Sequence, residues 1–103
     1  MRYLGALRGA GTLALEEQTF SRADYDFDVF SVGPGQVSAS GEIRTTSEGL
    51  RKVFGRRHLQ LRTDDGKCLV LRFTEKKLPS EETATHVDVT DGLPPATAWR
   101  KRA

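Results

Sequence analysis

Cysteine is almost missing from this sequence. Cys68 stands alone, so no disulfide can close within the chain, and a reducing compartment, the cytoplasm, is the expected location. Long apolar runs are missing too. No stretch approaches the roughly 20 apolar residues that a spanning helix needs, which predicts a soluble protein with no membrane partner. The opening Met1-Arg2-Tyr3-Leu4-Gly5-Ala6-Leu7-Arg8 carries an early positive charge, but Arg8 and Gly9 interrupt its apolar stretch, and no signal peptide is expected. Histidine is scarce as well. With only His58 and His86 beside the one cysteine, zinc-ligand spacing does not occur and no metal site is expected. The glycine-rich pieces Gly5 to Gly11 and Gly33-Pro34-Gly35 spell neither Gly-Lys-Ser/Thr nor G-x-G-x-x-G ahead of a helix. Nucleotide hydrolysis therefore has no basis, and no cofactor is expected.

What is present fits one ordinary globular domain: 103 residues, of which 37% are hydrophobic and 29% charged. Residues 1–93 read as a single β-rich domain and 94–103 as a C-terminal tail whose only large apolar residue is Trp99. The net charge of +2 is small but unevenly spread. Residues 1 to 43 hold three Arg against six acids, whereas residues 44 to 77 hold ten Lys or Arg against four acids, so the middle of the chain is basic.

Period-two alternation dominates the pattern. In Thr12-Leu13-Ala14-Leu15 the leucines share a face, Tyr3 and Leu7 have the same parity, and the intervening glycines predict one long bent strand or two broken by a bulge. Asp24-Tyr25-Asp26-Phe27-Asp28-Val29 alternates carboxylate and hydrophobe without error; a one-residue slip would bury three acids, so its register is strongly specified. After Gly33-Pro34-Gly35 comes Val37 to Arg44, with Val37, Ala39, Gly41 and Ile43 on one face. Pairing odd with odd sets Phe27 opposite Gly41 and Asp24 opposite Arg44, an aromatic covering a residue with no side chain.

Thr45, three before Glu48, signals a capping box, and Leu50, Val53 and Phe54 follow at helical spacing with Gly55 as the C′ residue. A helix of about two turns is predicted, plugging one end of the sheet. For the hairpin from His58 to Phe73, a two-residue loop would turn Leu69, Leu71 and Phe73 to the wrong face. The three-residue loop Asp64-Asp65-Gly66 instead pairs Leu61 with Leu69 and Leu59 with Leu71. A last strand spans about Thr85 to Thr90.

The fold class that follows is all-β: a small six-stranded antiparallel barrel or strongly curved sheet, with one short helix between the third and fourth strands. Its order of elements over residues 3 to 73 is similar to the five-stranded oligonucleotide-binding barrel, a likeness of arrangement with no sequence motif matched. The strand at 85–90 is additional. Where that family's binding face usually carries aromatics and bases, the outward second strand here is Asp24, Asp26 and Asp28.

No catalytic constellation is expected. On the hairpin His58 faces Arg72 and Cys68 faces Arg62, four residues along, which at roughly 3.3 Å per residue leaves about 13 Å between thiol and imidazole. The row Asp24, Asp26, Asp28 resembles the start of a calcium loop, but the sixth position is Val29 and the twelfth Gly35, where glycine and glutamate are required. The feature that remains is basic: Arg51, Lys52, Arg56, Arg57 and His58, continued outward by Arg62 and Arg72, partly neutralised by the aspartate row of a neighbouring strand. Trp99 with Arg100, Lys101 and Arg102 would add a stacking ring and three charges if the tail folded back. The leading expectation is a non-catalytic binding module for a macromolecular partner, a protein or a polyanion such as nucleic acid. The alternatives are a small-ligand barrel lined by Tyr25, Phe27, Leu59 and Leu71, and a protein-interaction domain with no nucleic-acid role. Open sheet edges add the expectation of a homo-oligomer.

Overall fold

The computed structural model describes residues 1–79, 81–95 and 98. Its first strand, β1 (Arg2–Leu15), is one long element and not two. Register shifts between Tyr3 and Gly5 and between Leu13 and Ala14 take up the bends that the glycines announce. The first of these bulges also reverses the parity of the strand start. Tyr3 is turned outward and exposed, while Leu4 and Leu7 pack against the core, so the shared face of Tyr3 and Leu7 does not form.

The carboxylate alternation holds β2 (Gln18–Gly33) in the expected register against β3 (Gln36–Arg44), with Phe27 opposite Gly41 and Asp24 opposite Arg44. Helix α1 (Ser47–Val53) follows, but its N-cap is Thr46, whose side chain accepts from Gly49 N at 3.0 Å. Thr45 is engaged elsewhere: its hydroxyl donates to Arg22 O at 2.6 Å and its N–H to Thr83 O at 2.9 Å, tying the helix entry to the sheet. At the other end Phe54 (φ −58, ψ 129) and Gly55 (φ 81) form the centre of a type II turn, closed by Arg56 N donating to Val53 O at 3.0 Å.

The hairpin of β4 (Leu59–Thr63) and β5 (Cys68–Phe73) pairs Leu61 with Leu69 and Leu59 with Leu71. Thr63 N bonds Lys67 O at 2.8 Å across the Asp64-Asp65-Gly66 loop, and Gly66 takes φ 96. Strand β6 (Ala84–Asp91) then inserts between β3 and β5, and β1 pairs with β4 to close the ring β1-β2-β3-β6-β5-β4. Every pairing is antiparallel.

Alternate residues of all six strands point inward. Phe27, Leu13, Ile43, Leu59, Leu61, Leu69 and Val87 expose nothing, and Leu50 and Val53 of α1 are equally buried where the helix covers one end of the ring. Each such aliphatic side chain contributes about 1.5–3 kcal/mol by leaving water. The interior is filled by side chains.

Candidate binding groove

The type II turn after α1 delivers Arg56, Arg57 and His58 in succession. His58 sits at φ 59, a left-handed conformation that turns the chain abruptly into β4. As a result the segment Gly55–His58 lies beside the outer side of β5, and a groove of about 550 Å³ opens between them. Arg56, Arg57, His58 and Arg72 line it together with Val70, Phe73, Glu75 and Thr90. Three consecutive basic residues and Arg72 of β5 therefore meet around a partly apolar floor. Phe73 stacks at a tilt on Phe54, ring centroids 5.1 Å apart, which fixes the aromatic end of that floor against the helix exit.

The cations are not equally available. Arg56 is partly spent on the fold, since its Nε donates to Lys52 O at 2.7 Å and its guanidinium lies 4.8 Å from the centroid of Phe20. Arg72 donates to Asp88 Oδ2 at 2.7 Å. Arg57 and His58 are exposed and have no ion-pair partner among the described residues. Arg51 and Lys52 are exposed on the last turn of α1, next in sequence to the groove, with Lys52 at 3.5 Å from Glu48. Arg62 does not belong to the groove: it faces Cys68 towards the turn end of the hairpin and donates to the carbonyl of Glu16 and to Gln60 Oε1. The residues expected to add a tail surface, Trp99, Arg100, Lys101 and Arg102, lie outside the described residues.

The aspartate row does not neutralise this surface as expected. Arg8 takes Asp26 at 2.8 Å, and Tyr3 donates to Asp28 at 3.3 Å, both from β1 on the far side of β2. Instead the counter-charges of the groove are Asp88 and Glu75. A second depression, of about 480 Å³, is lined by Arg22, Asp24, Arg44, Thr45, Thr46 and Thr83, but its cations are engaged. Arg22 donates to both oxygens of Asp64 at 2.7 and 2.5 Å, and Arg44 bonds Glu42 at 2.7 Å. The bidentate contact raises the guanidinium of Arg22 and holds the Asp64 carboxyl below the usual carboxylate range. Hydrogen bonds from Lys67 and Thr63 lower Asp65 likewise, so the tip of the β4–β5 hairpin is a built electrostatic clasp and not a free binding loop.

Cys68 is exposed and faces Arg62 across the hairpin, while His58 stands at the groove, so the structure forms no thiol–imidazole pair. Among the described residues no three His, Cys, Asp or Glu side chains come together to hold a metal ion. The residues that sequence reasoning missed are Val70, Phe73, Glu75 and Thr90. Phe73 carried a signal, an aromatic ending a strand just as Phe54 ends the helix, but the alternation assigned it wholly to the core. No protein-family model matches this chain, and neither a curated protein nor a solved structure shows significant similarity to it.

Proposed function

We propose that this domain is a non-catalytic binding module whose partner is a polyanion, held in the groove between the α1–β4 turn and β5. The observation that supports it is the convergence of Arg56, Arg57, His58 and Arg72 on one opening with an aromatic and aliphatic floor. A guanidinium offers a rigid fork of donors to phosphate or carboxylate, and Arg57 has no competing acidic partner among the described residues. Phe73 and Val70 give the groove a surface on which a base or another apolar group of the partner rests. Arg51 and Lys52 extend the positive field along the adjoining helix. A ligand inside the barrel is not favoured, since Phe27 and Leu59 expose no surface even to water and Leu71 only 1%.

The test is a salt titration of binding to a labelled single-stranded oligonucleotide, for the wild type and for Arg57→Ala and Arg72→Ala. Binding at low salt whose affinity falls steeply with salt is expected, each substitution lowering the slope by roughly 0.7 for every phosphate it leaves without a cation. No binding at low salt, or slopes that neither substitution changes, discards the groove as a polyanion site and leaves a protein partner.

A further inference from the structure

β1 has two halves. Gly11–Ala14 pair with β4 and close the barrel, whereas Arg2–Ala10 pair with β2 alone among the described residues. The direction of the free edge follows from one bond. Asp64 N donates to Ala10 O at 2.9 Å, so this carbonyl faces the β4 side. No bulge interrupts β1 between Gly5 and Leu13, and strand alternation therefore aims the N–H and C=O of Arg8 and Ala6 to that same side, beyond the point where β4 ends. Among the described residues they meet no strand there.

Exposed edges are ordinarily protected by lysine, proline or inward charge. Between Leu4 and Gly9 the only charge is Arg8, and Asp26 holds it at 2.8 Å. The same end of the molecule carries the exposed large hydrophobic residues: Met1 at 92%, Tyr3 at 54% and Val32 at 45%. Tyr3 lies across from Phe30, and Arg2 from Ser31, so these side chains border the free edge.

We propose that this edge pairs antiparallel with the same edge of a second copy of the chain, about a two-fold axis at Ala6. In that register Ala6 exchanges two backbone hydrogen bonds with Ala6 of the second copy, and Leu7 packs over its Gly5, a large side chain against none. Arg8 faces Leu4 of the second copy, so the two arginines of each strand meet no like charge. Pairing runs from Leu4 to Arg8 on each strand and stops short of Ala10, whose carbonyl already accepts from Asp64 N. The neighbouring registers fail for stated reasons. Centring on Gly5 sets Arg8 against Arg2, and centring on Leu7 sets Leu7 against itself and Gly5 against Gly9, so that no large side chain covers a bare position. A strip of five residues, about 16 Å long at roughly 3.3 Å per residue, makes a small interface, so the dimer dissociates on dilution.

Sedimentation of the full chain from micromolar to near-millimolar concentration tests this, together with two variants. The wild type is expected to shift from monomer to dimer as concentration rises. Ala6→Lys, which places its ammonium beside Asp28 within its own chain, is expected to keep the wild-type circular dichroism and remain monomeric, because two lysines would face each other at the axis. Ala6→Cys in a Cys68→Ser background is expected to form a covalent dimer on mild oxidation, the axial pair standing about 5.5 Å apart at Cα, within disulfide reach. A monomer at every concentration overturns the proposal. So does a dimer that Ala6→Lys leaves intact and Ala6→Cys fails to cross-link, since it would use another surface.

Discussion

Gly41 and Phe27 face each other across β2 and β3 at a separation that admits no side chain on the glycine. A Cβ built on Gly41 would lie 2.0 Å from the carbonyl oxygen of Asp26 and 2.8 Å from the Cα of Phe27. The sequence pattern anticipates the pairing as a ring laid over a bare position. The structure shows a tighter relationship, backbone against backbone, where the sheet curves to close.

Gly41→Ala is therefore expected to be severely destabilising, because the atoms it meets belong to the main chain and cannot swing aside. A loss of about 3 kcal/mol or more is expected, read as a fall in the urea midpoint with an unchanged slope. Gly35→Ala, where a Cβ meets nothing within 4 Å, serves as the comparison. Its φ of 70 limits the cost to about 1–2 kcal/mol.

Thr46→Ala is expected to cost about 1 kcal/mol through loss of the cap on Gly49 N. Glu48→Ala tests the competing capping box directly, since glutamine would still close it. With the cap at Thr46, Glu48 has only its pair with Lys52 to lose, worth about 0.3–0.5 kcal/mol, so thermal unfolding will separate the two variants.

The carboxyl groups of Asp64 and Asp65 will titrate below the ordinary aspartate range in a carbon-detected NMR titration, the first because Arg22 bonds it and the second chiefly because Lys67 does. A folded-state value lower than the unfolded one means that the unfolded chain binds the proton first. The stabilisation is therefore complete above the unfolded value near about 4 and is lost as pH falls through the folded values. Arg22→Ala is expected to return Asp64 upward and leave Asp65 nearly unmoved.

His58→Gly is expected to separate folding from binding. Relief of the left-handed strain and the added freedom of the unfolded chain oppose each other at about 1 kcal/mol each, so chemical denaturation will show little change. His58→Val, β-branched at the same φ of 59, is expected to unfold at lower denaturant concentration. Reduced oligonucleotide affinity in a His58→Gly protein of normal stability would assign the ring to the groove.

Much of the sheet was legible one strand pair at a time. Asp24-Tyr25-Asp26-Phe27-Asp28-Val29 admits a single face for its acids, and Leu59, Leu61, Leu69 and Leu71 select one hairpin loop, because in each case a slip would exchange buried and solvated groups. The start of β1 was not legible. A bulge at Tyr3 and Gly5 inverts parity there, and bulges respond to curvature that the local pattern does not contain. The helix cap moved by one residue for a similar reason, since the hydroxyl of Thr45 is claimed by Arg22 O on a strand more than twenty positions away.

By itself, then, the sequence determined the element types, the inward residues and the local registers, which are properties of side-chain period and turn chemistry. Only the tertiary structure decided that β6 enters between β3 and β5, that β1 closes on β4, and that Arg2–Ala10 pair with β2 alone among the described residues. It also decided which cations share a site. Arg57 and Arg72 meet at the groove because the left-handed turn at His58 lays one segment beside another. Arg62, a neighbour by charge pattern, is held near the turn end of the same hairpin, because along a strand each residue moves a side chain by about 3.3 Å and charge alone cannot bring it back.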